Sequence, residues 1–436
     1  MRRALVVVLA VAAAAVAATP ALAAPAVALR ATAVAAGPLP ILTLRTAGPI
    51  RDDPKVAGLL HVRRGTRTLY AGRVGVELRG HSSRTYPKKQ YGLETWGAAG
   101  RDKAVSLLGL PKESDWVLSA SYADKTLMRN TVAYSAARAL GRYASRTVFV
   151  ELVLNGRYHG VYVLAERPKL DKRRIRAAAD DVTGGYLLEL TLRQKVRPRD
   201  IWFRTPVTRR VVILVGAGGK KLTNQRRAWI TEHMRAFERT LYGPEFRHPE
   251  RGWRRFLDEA AAVDYILLQE LFKNQDAFLS STFAHKGSGD KLAFGPVWDF
   301  DIALGNSNFG RSAHLGGWLL TPRAARPWAS RLYDDPGFLA ALEARWRGLR
   351  RAGLVGRLLG QIERDAARLH AAQARNFERW PILGRYIWPN PVDPATRHVR
   401  RTYRAEVTYL KSWLQRRAAW IDANIATIGR EWGTRR

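Results

Sequence analysis

Apolar and polar residues alternate along the first half of the chain and fall at helical spacing along the second. Order begins at Ile41-Leu42-Thr43-Leu44, and Arg73-Val74-Gly75-Val76-Glu77-Leu78-Arg79-Gly80 reads as an alternating strand. A polar loop, His81-Ser82-Ser83-Arg84-Thr85, joins it to a second strand predicted over Lys88–Glu94. Thr147–Leu154 and Tyr158–Leu164 flank Asn155-Gly156, which predicts a hairpin with a type I′ turn, because both central positions of that turn need positive φ. Gly185–Leu190 is a further strand. Asp124 is the expected N-cap of a helix that runs to Leu140 and stops at Gly141. Asn224–Tyr242, Trp253–Lys273, Pro336–Phe377 and Tyr403–Arg430 carry apolar stripes with arginine on the opposite face, so their tryptophans are expected to anchor the core. The pattern predicts an α+β protein with a strand-rich N-terminal half, a helix-rich C-terminal half and a cleft between two lobes.

The first residues break this pattern. Arg2 and Arg3, an apolar run from Ala4 to Ala18 and the small-residue step Ala21-Leu22-Ala23 have the order of a secretory signal peptide over 1–23. An Ala/Pro/Val-rich linker over 24–40 follows. No later stretch is apolar and long enough to cross a bilayer, so the mature protein is expected to be secreted or held at the cell surface, and not membrane-spanning. Cysteine is absent, which excludes disulfides and makes a structural zinc site implausible chemistry for this chain. The formal charge of +36 attracts polyanions such as anionic wall polymers, but the arginines are scattered along many elements and form no basic arm. No nucleic-acid motif accompanies the charge, and no Gly-x-Ser-x-Gly elbow points to a serine hydrolase.

Two acids fall at element ends. Asn274-Gln275-Asp276 closes one apolar helix, and Phe294-Gly295-Pro296-Val297-Trp298-Asp299-Phe300-Asp301 reads as a short strand breaking into a loop. The separation of 23 positions from Asp276 to Asp299 includes the turn-rich Lys286-Gly287-Ser288-Gly289-Asp290, enough for a hairpin to bring the carboxylates together. Such a pair suits phosphoryl transfer, one carboxylate orienting a hydroxyl and the other holding Mg²⁺. The loop after Arg79 sets a glycine, two hydroxyls and an arginine between strands, a device that can cover phosphates. Arg129 reads as a phosphate ligand or, by preference, as half of an ion pair. Glu166 has a bland reading as a salt-bridge partner at a strand end.

Five runs in fixed order carry a resemblance: Leu78-Arg79-Gly80-His81-Ser82-Ser83-Arg84, Pro87-Lys88-Lys89-Gln90-Tyr91, Asp124 to Asn130, Asn155 to Tyr162, and Gly295 to Asp301. Together they resemble the spore-coat-H (CotH) kinase family of atypical secretory protein kinases, with a fold similar to that of the secreted casein kinases. The resemblance implies a two-lobed, atypical protein-kinase-like domain over 41–436, with an N-lobe over about 41–165 and a C-lobe over about 169–436. It implies that ATP, with Mg²⁺ or Mn²⁺, donates its γ-phosphoryl group to Ser or Thr of a protein substrate of the cell envelope or spore surface. It assigns Asp276 and its neighbour Asn274 to catalysis and Asp299, with Asp301, to the metal. The nucleotide falls to Arg79, Ser82, Ser83 and Arg84, to Lys88 or Lys89, which strand alternation puts on opposite faces, and to Glu166 at the hinge. The alternative is a non-catalytic structural or adhesive surface protein of the same fold that binds polyanions.

Overall fold

The computed structural model describes residues 39–309, 312–321, 327–392 and 399–428, so the expected signal peptide, and the linker up to residue 38, lie outside the described residues. Among these, no helix is long and apolar enough to cross a membrane.

The strand-rich half closes on itself. Strands β1 (Ile41–Thr46), β2 (Val56–Arg64), β3 (Arg67–Arg79), β4 (Gln90–Trp96), β5 (Asp115–Ser119), β6 (Thr147–Leu154) and β7 (Arg157–Glu166) form a barrel in the order β1-β2-β3-β4-β5-β7-β6. A parallel pairing of β1 with β6 completes the ring. Side chains two apart on every strand fill the interior: Leu42 and Leu44, Leu60 and Val62, Val74 and Val76, Tyr91 and Leu93, Trp116 and Leu118, Val150 and Leu152, Tyr162 and Leu164. This is the alternation the sequence predicts, and each such side chain contributes roughly 1.5–3 kcal/mol by leaving water. The β6–β7 hairpin turns at Asn155 (φ 49°) and Gly156 (φ 81°), as expected. Asn155 Oδ1 also accepts from Thr46 N–H at 2.9 Å, tying the turn to β1.

The opposite faces of β5 and β7 look outward, toward the helical half. Val161 and Val163 on β7 belong to the large core that helices α1 (Arg129–Ala139), α2 (Asn224–Tyr242) and α3 (Glu259–Phe272) build with a second sheet. That sheet adds β8 (Tyr186–Thr191), β9 (Trp202–Arg204), β10 (Val211–Gly216), β11 (Thr282–Lys286) and β12 (Ala293–Phe294), in the order β12-β11-β8-β10-β9. α3 is buried from Ala261 to Phe272 on all sides, the pattern of a central helix. Its N-cap, Asp258, accepts from Ala261 N–H at 2.8 Å, and Lys273 in left-handed conformation (φ 46°) ends it. The remaining helices are α4 (Pro327–Leu332), α5 (Pro336–Arg351), α6 (Leu354–Arg379) and α7 (Tyr403–Asn424).

Several expected elements differ from those observed. The helix expected over Trp253–Lys273 is a 3-10 turn over Trp253–Arg255 followed by α3 from Glu259, and the strand expected from Phe294 toward Asp301 stops at Phe294. The single helix over Pro336–Phe377 is two, because Gly353 takes φ 73° between α5 and α6. The strand expected from Lys88 starts at Gln90, so the two lysines precede it. Asp124 is not the N-cap of α1, which starts at Arg129; it serves that helix from five residues upstream, its Oδ2 accepting from Arg129 N–H at 2.8 Å.

Candidate active site

A cleft lies where the outward face of the barrel meets the helical half. Val117 and Ser119 of β5, Val163 and Ala165 of β7, and Arg79, Gly80, His81, Ser82 and Ser83 after β3 line one wall. Asn130 and Tyr134 of α1, Asp276, Trp298, Asp299, Asp301 and Lys195 line the other. The space between them is about 90 Å³.

Each acid is held by a turn that the core fixes. After Lys273 ends α3, Asn274 Oδ1 accepts from Asp276 N–H at 3.2 Å, and the Asp276 carbonyl accepts from Leu279 and Ser280 N–H, both at 2.9 Å. Phe278 (φ 56°) is fully buried beneath this turn, so Asp276 is presented at its surface. Asn274 is itself buried and shapes the turn; it does not line the cleft. β12 is only two residues long, and the chain reaches Asp299 in coil, where Asp299 takes φ 67°. A non-glycine residue in that region costs of order 1 kcal/mol, and such strain collects at functional sites. Two residues one turn apart on α1 hold it there: Asp299 N–H donates to the Tyr134 hydroxyl at 3.4 Å, and Phe300 N–H donates to Asn130 Oδ1 at 2.7 Å. Phe300 is buried edge-on against Phe272, so Asp299 and Asp301 are turned away from a shared hydrophobic anchor. Ser281, just before β11, donates to Asp299 Oδ2 at 3.2 Å, linking the two acidic turns.

The electrostatics of the cleft are unbalanced. Burial pushes the Asp301 carboxyl well above the usual carboxylate range, and Asp299, Asp124 and Asp276 add to the shift. Among the described residues neither Asp299 nor Asp301 has an ion-pair partner. Arg79 and Lys195 are cations of the cleft, and the Arg79 guanidinium lies 5.4 Å from the centre of the Trp298 ring. Burial and Arg167 lower its pKa, against the pull of Asp299. Among the described residues no three His, Cys, Asp or Glu side chains are arranged to hold a metal. Hard carboxylate oxygens that repel one another in a half-buried cleft nevertheless fit a divalent cation whose remaining ligands come from phosphate and water.

The loop after β3 lies over this site. Gly80 takes φ 90°, and a Cβ there would meet Ser83 Oγ at 1.9 Å, so only glycine permits the turn that brings Ser82 and Ser83 to the cleft.

Four expected nucleotide ligands lie elsewhere. Arg84 points away and pairs with Asp52 at 2.6 Å. Lys89 Nζ donates to the Arg84 carbonyl at 2.5 Å. Lys88 is buried behind the barrel wall, its Nζ donating to Val161 O at 2.5 Å and to Asn376 Oδ1 at 2.9 Å, 4.8 Å from the Tyr162 ring centre. The alternation argument fails because the strand begins after both lysines. Glu166 is fully buried, its carboxylate accepting from Arg146 N–H at 2.8 Å, Nε at 3.0 Å and Nη2 at 2.9 Å, with Arg174 at 3.7 Å. It holds the end of the barrel together, which is the bland reading of that residue, while its neighbour Ala165 lines the cleft. Arg129 makes the structural ion pair, 2.5 Å from Asp124 in the core. Asn130, Tyr134, Trp298 and Lys195 are among the site residues that sequence reasoning left without a role. Asn130 and Trp298 stand inside quoted runs, and Lys195 carries no sequence signal beyond following a strand.

These features define an α+β protein whose acid-lined cleft separates a closed barrel from a helical half. A model of the CotH kinase protein family matches residues 76–421, most of the chain, and the chain belongs to that family. Membership suggests a kinase-like protein, and kinases in general use ATP and a divalent metal. No curated protein matches the chain.

Proposed function

We propose that the protein is a secreted, two-lobed atypical protein kinase, with an N-lobe over about 41–165 and a C-lobe over about 169–436. It moves the γ-phosphoryl group of ATP to Ser or Thr of envelope or spore-surface proteins. The observation that supports this reading best is the convergence of Asp276, Asp299 and Asp301 on one cleft with Arg79 and the Gly80–Ser83 loop opposite. Asp299 and Asp301 would hold Mg²⁺ or Mn²⁺, which neutralises phosphate charge when bound. Asp276 would accept the proton of the attacking hydroxyl, with Asn274 fixing its turn. Arg79 would meet the phosphates in place of the lysine that kinases commonly use. Val117, Val163 and Ala165 supply an apolar end suited to adenine. Drug-sized ligands occupy roughly 300–1,000 Å³, so a nucleotide enters by parting the two walls.

The test is transfer of label from γ-labelled ATP with Mg²⁺ or Mn²⁺ by the mature protein and by Asp299→Ala. The variant is expected to stay folded and lose transfer; equal rates would end the assignment. Nucleotide with metal should also raise the melting temperature of the wild type. The charge of +36 supports a second reading, a surface protein that binds anionic wall polymers. That binding would collapse as ionic strength rises, whereas protection by nucleotide and metal would persist.

A further inference from the structure

Lys195 ends a short 3-10 turn, Arg193–Lys195, directly after β8, and lines the cleft half-buried. Its Nζ donates to Ser280 Oγ at 2.6 Å. Ser280 N–H donates to the Asp276 carbonyl at 2.9 Å, and the next residue, Ser281, donates its hydroxyl to Asp299 Oδ2 at 3.2 Å. The ammonium is therefore tethered to the two-serine step that joins the turn of Asp276 to Asp299. This is the acidic end of the cleft, and not the apolar end formed by Val117, Val163 and Ala165.

The chain beyond Lys195 crosses to the barrel half. Arg197 lies 3.5 Å from Asp52, and Arg199 lies 2.9 Å from Asp53 and 3.9 Å from Glu77. Asp52 also holds Arg84, at the end of the loop that covers the cleft. Residues 193–200 thus form a strap between the central sheet and the β1–β2 loop, with Lys195 at its root. Its outer ion pairs are exposed, so they are individually weak and screened by salt.

We propose that Lys195 is a catalytic lysine, whose ammonium holds the equatorial oxygens of the phosphoryl group in flight while the strap closes over it; the proposal rests on the phosphotransferase reading. In the step, the acceptor hydroxyl oxygen forms a bond to the γ-phosphorus and the bond to the β–γ bridging oxygen breaks. The hydroxyl proton passes to Asp276, and ADP leaves with the bond pair. Ammonium carries three N–H groups, and the one given to Ser280 leaves two for oxygens that gain charge in the transition state. Arg79 would then hold the bound triphosphate from one wall while Lys195 meets the transferring phosphoryl group from the other, against the negative field of Asp276, Asp299 and Asp301.

The experiment compares wild type, Lys195→Met, Lys195→Arg and Asp299→Ala as full mature chains. Labelled ATP with Mn²⁺ is the donor, and dephosphorylated casein and the protein's own hydroxyls are the acceptors. Lys195→Met should lower kcat about 100-fold or more, the usual loss when one transition-state donor is removed. Its KM for ATP should change no more than about threefold, and ATP with Mn²⁺ should still raise its melting temperature. Lys195→Arg, which keeps the charge, should recover part of the rate; if Lys195→Met does not fold, a wild-type rate for Lys195→Arg at saturating ATP would count against a close, shape-dependent contact. A kcat for Lys195→Met within about threefold of wild type overturns the proposal. If the wild type transfers nothing, or Asp299→Ala transfers as well as wild type, the phosphotransferase reading fails first and takes this assignment with it. If only Lys195→Met behaves as wild type, the assignment of Lys195 alone falls.

Discussion

The cleft and the barrel end beside it treat carboxylates in opposite ways. Glu166 sits with no exposure inside a cage of Arg146 and Arg174, and Asp124 is closed off by Arg129 and Thr126. Asp299 and Asp301, a short distance away, face each other and Asp276 across a site where Arg79 and Lys195 supply the positive charge. A buried ion pair that is fully hydrogen-bonded holds structure, whereas carboxylates left in mutual repulsion cost stability and are retained where they bind something. The difference separates two residues that sequence reasoning had placed in the same site, Glu166 and Asp299.

The largest expected effects test that separation directly. Asp299→Ala should lower phosphate transfer by a thousandfold or more while leaving the unfolding temperature equal or higher, because it removes a repelled charge and relieves Asp301. Glu166→Gln should do the reverse. It breaks a buried cage at a cost of about 3 kcal/mol in denaturant unfolding, and the protein that remains folded should transfer phosphate near the wild-type rate. A fully stable but inactive Glu166→Gln would return that residue to the active site.

Lys88 sharpens the comparison from the side of the cations. Burial pushes its pKa well down, and no carboxylate lies within ion-pair distance among the described residues. Lys88→Met should therefore cost only the two hydrogen bonds to Val161 and Asn376, about 1–2 kcal/mol, and leave kcat within a few fold of wild type. The sign with pH is fixed by the depressed value: between the folded pKa and the ordinary value near 10.5, the unfolded chain binds the extra proton. Stability of the wild type rises with pH across that interval, and Lys88→Met should lose that part of the rise. Loss of transfer in a stable Lys88→Met protein would place this lysine in the chemistry after all.

What was legible in the chain follows the range of the interactions concerned. The barrel interior was readable because its signal is local, one side chain in two along each strand, and the β6–β7 turn because Asn155-Gly156 answers a backbone requirement on the spot. Asp276 and Asp299 were readable because each stands in a recognisable run, although the strand expected to end at Asp299 stops at Phe294 and leaves that acid in coil. The fate of Lys88 was not, since it depends on Asn376, 288 residues away on α6, and on a strand that starts two residues late. Lys195 was missed for the same reason: its meaning comes from Ser280, 85 residues on. Arg84 and Arg79 stand at the two ends of one short loop and look alike in sequence, and only the position of Asp52 on the β1–β2 loop divides their roles.

Glu189 on β8 gives a smaller, pH-dependent test. Burial pushes its carboxyl up to about 7, with Asp299 and Asp200 adding to the shift and Lys195 and Arg79 opposing it. A raised folded value means that its contribution to stability is complete below the unfolded value near 4.5 and is lost as pH climbs through about 7. His159, His233 and His285, each lowered by burial to about 4, act in the opposite sense up to their ordinary value near 6.5. The clean measurement is thus the difference between wild type and Glu189→Gln in thermal unfolding. The wild type should lose ground to the variant from pH 4.5 to 7, and parallel curves would mean that burial does not hold the Glu189 carboxyl above its ordinary value.

The smallest effect separates the two arginines of the covering loop. Arg84 and Asp52 are each about one-third exposed, a setting in which an ion pair contributes roughly 0–1 kcal/mol and fades with salt. Arg84→Ala should therefore raise KM for ATP less than about threefold, an increase that shrinks further at high ionic strength, because the wild-type pair is already screened there. Arg79 is half-buried against Trp298 beside Asp299, so salt screens it less than a pair on the outer surface. Arg79→Ala should raise KM for ATP about tenfold or more at every salt concentration, as expected when a charge-assisted contact of roughly 1.5–3 kcal/mol is lost. Equal and equally salt-sensitive effects from the two substitutions would show that the loop acts by its net charge, and would leave the phosphates without an assigned partner on the barrel side.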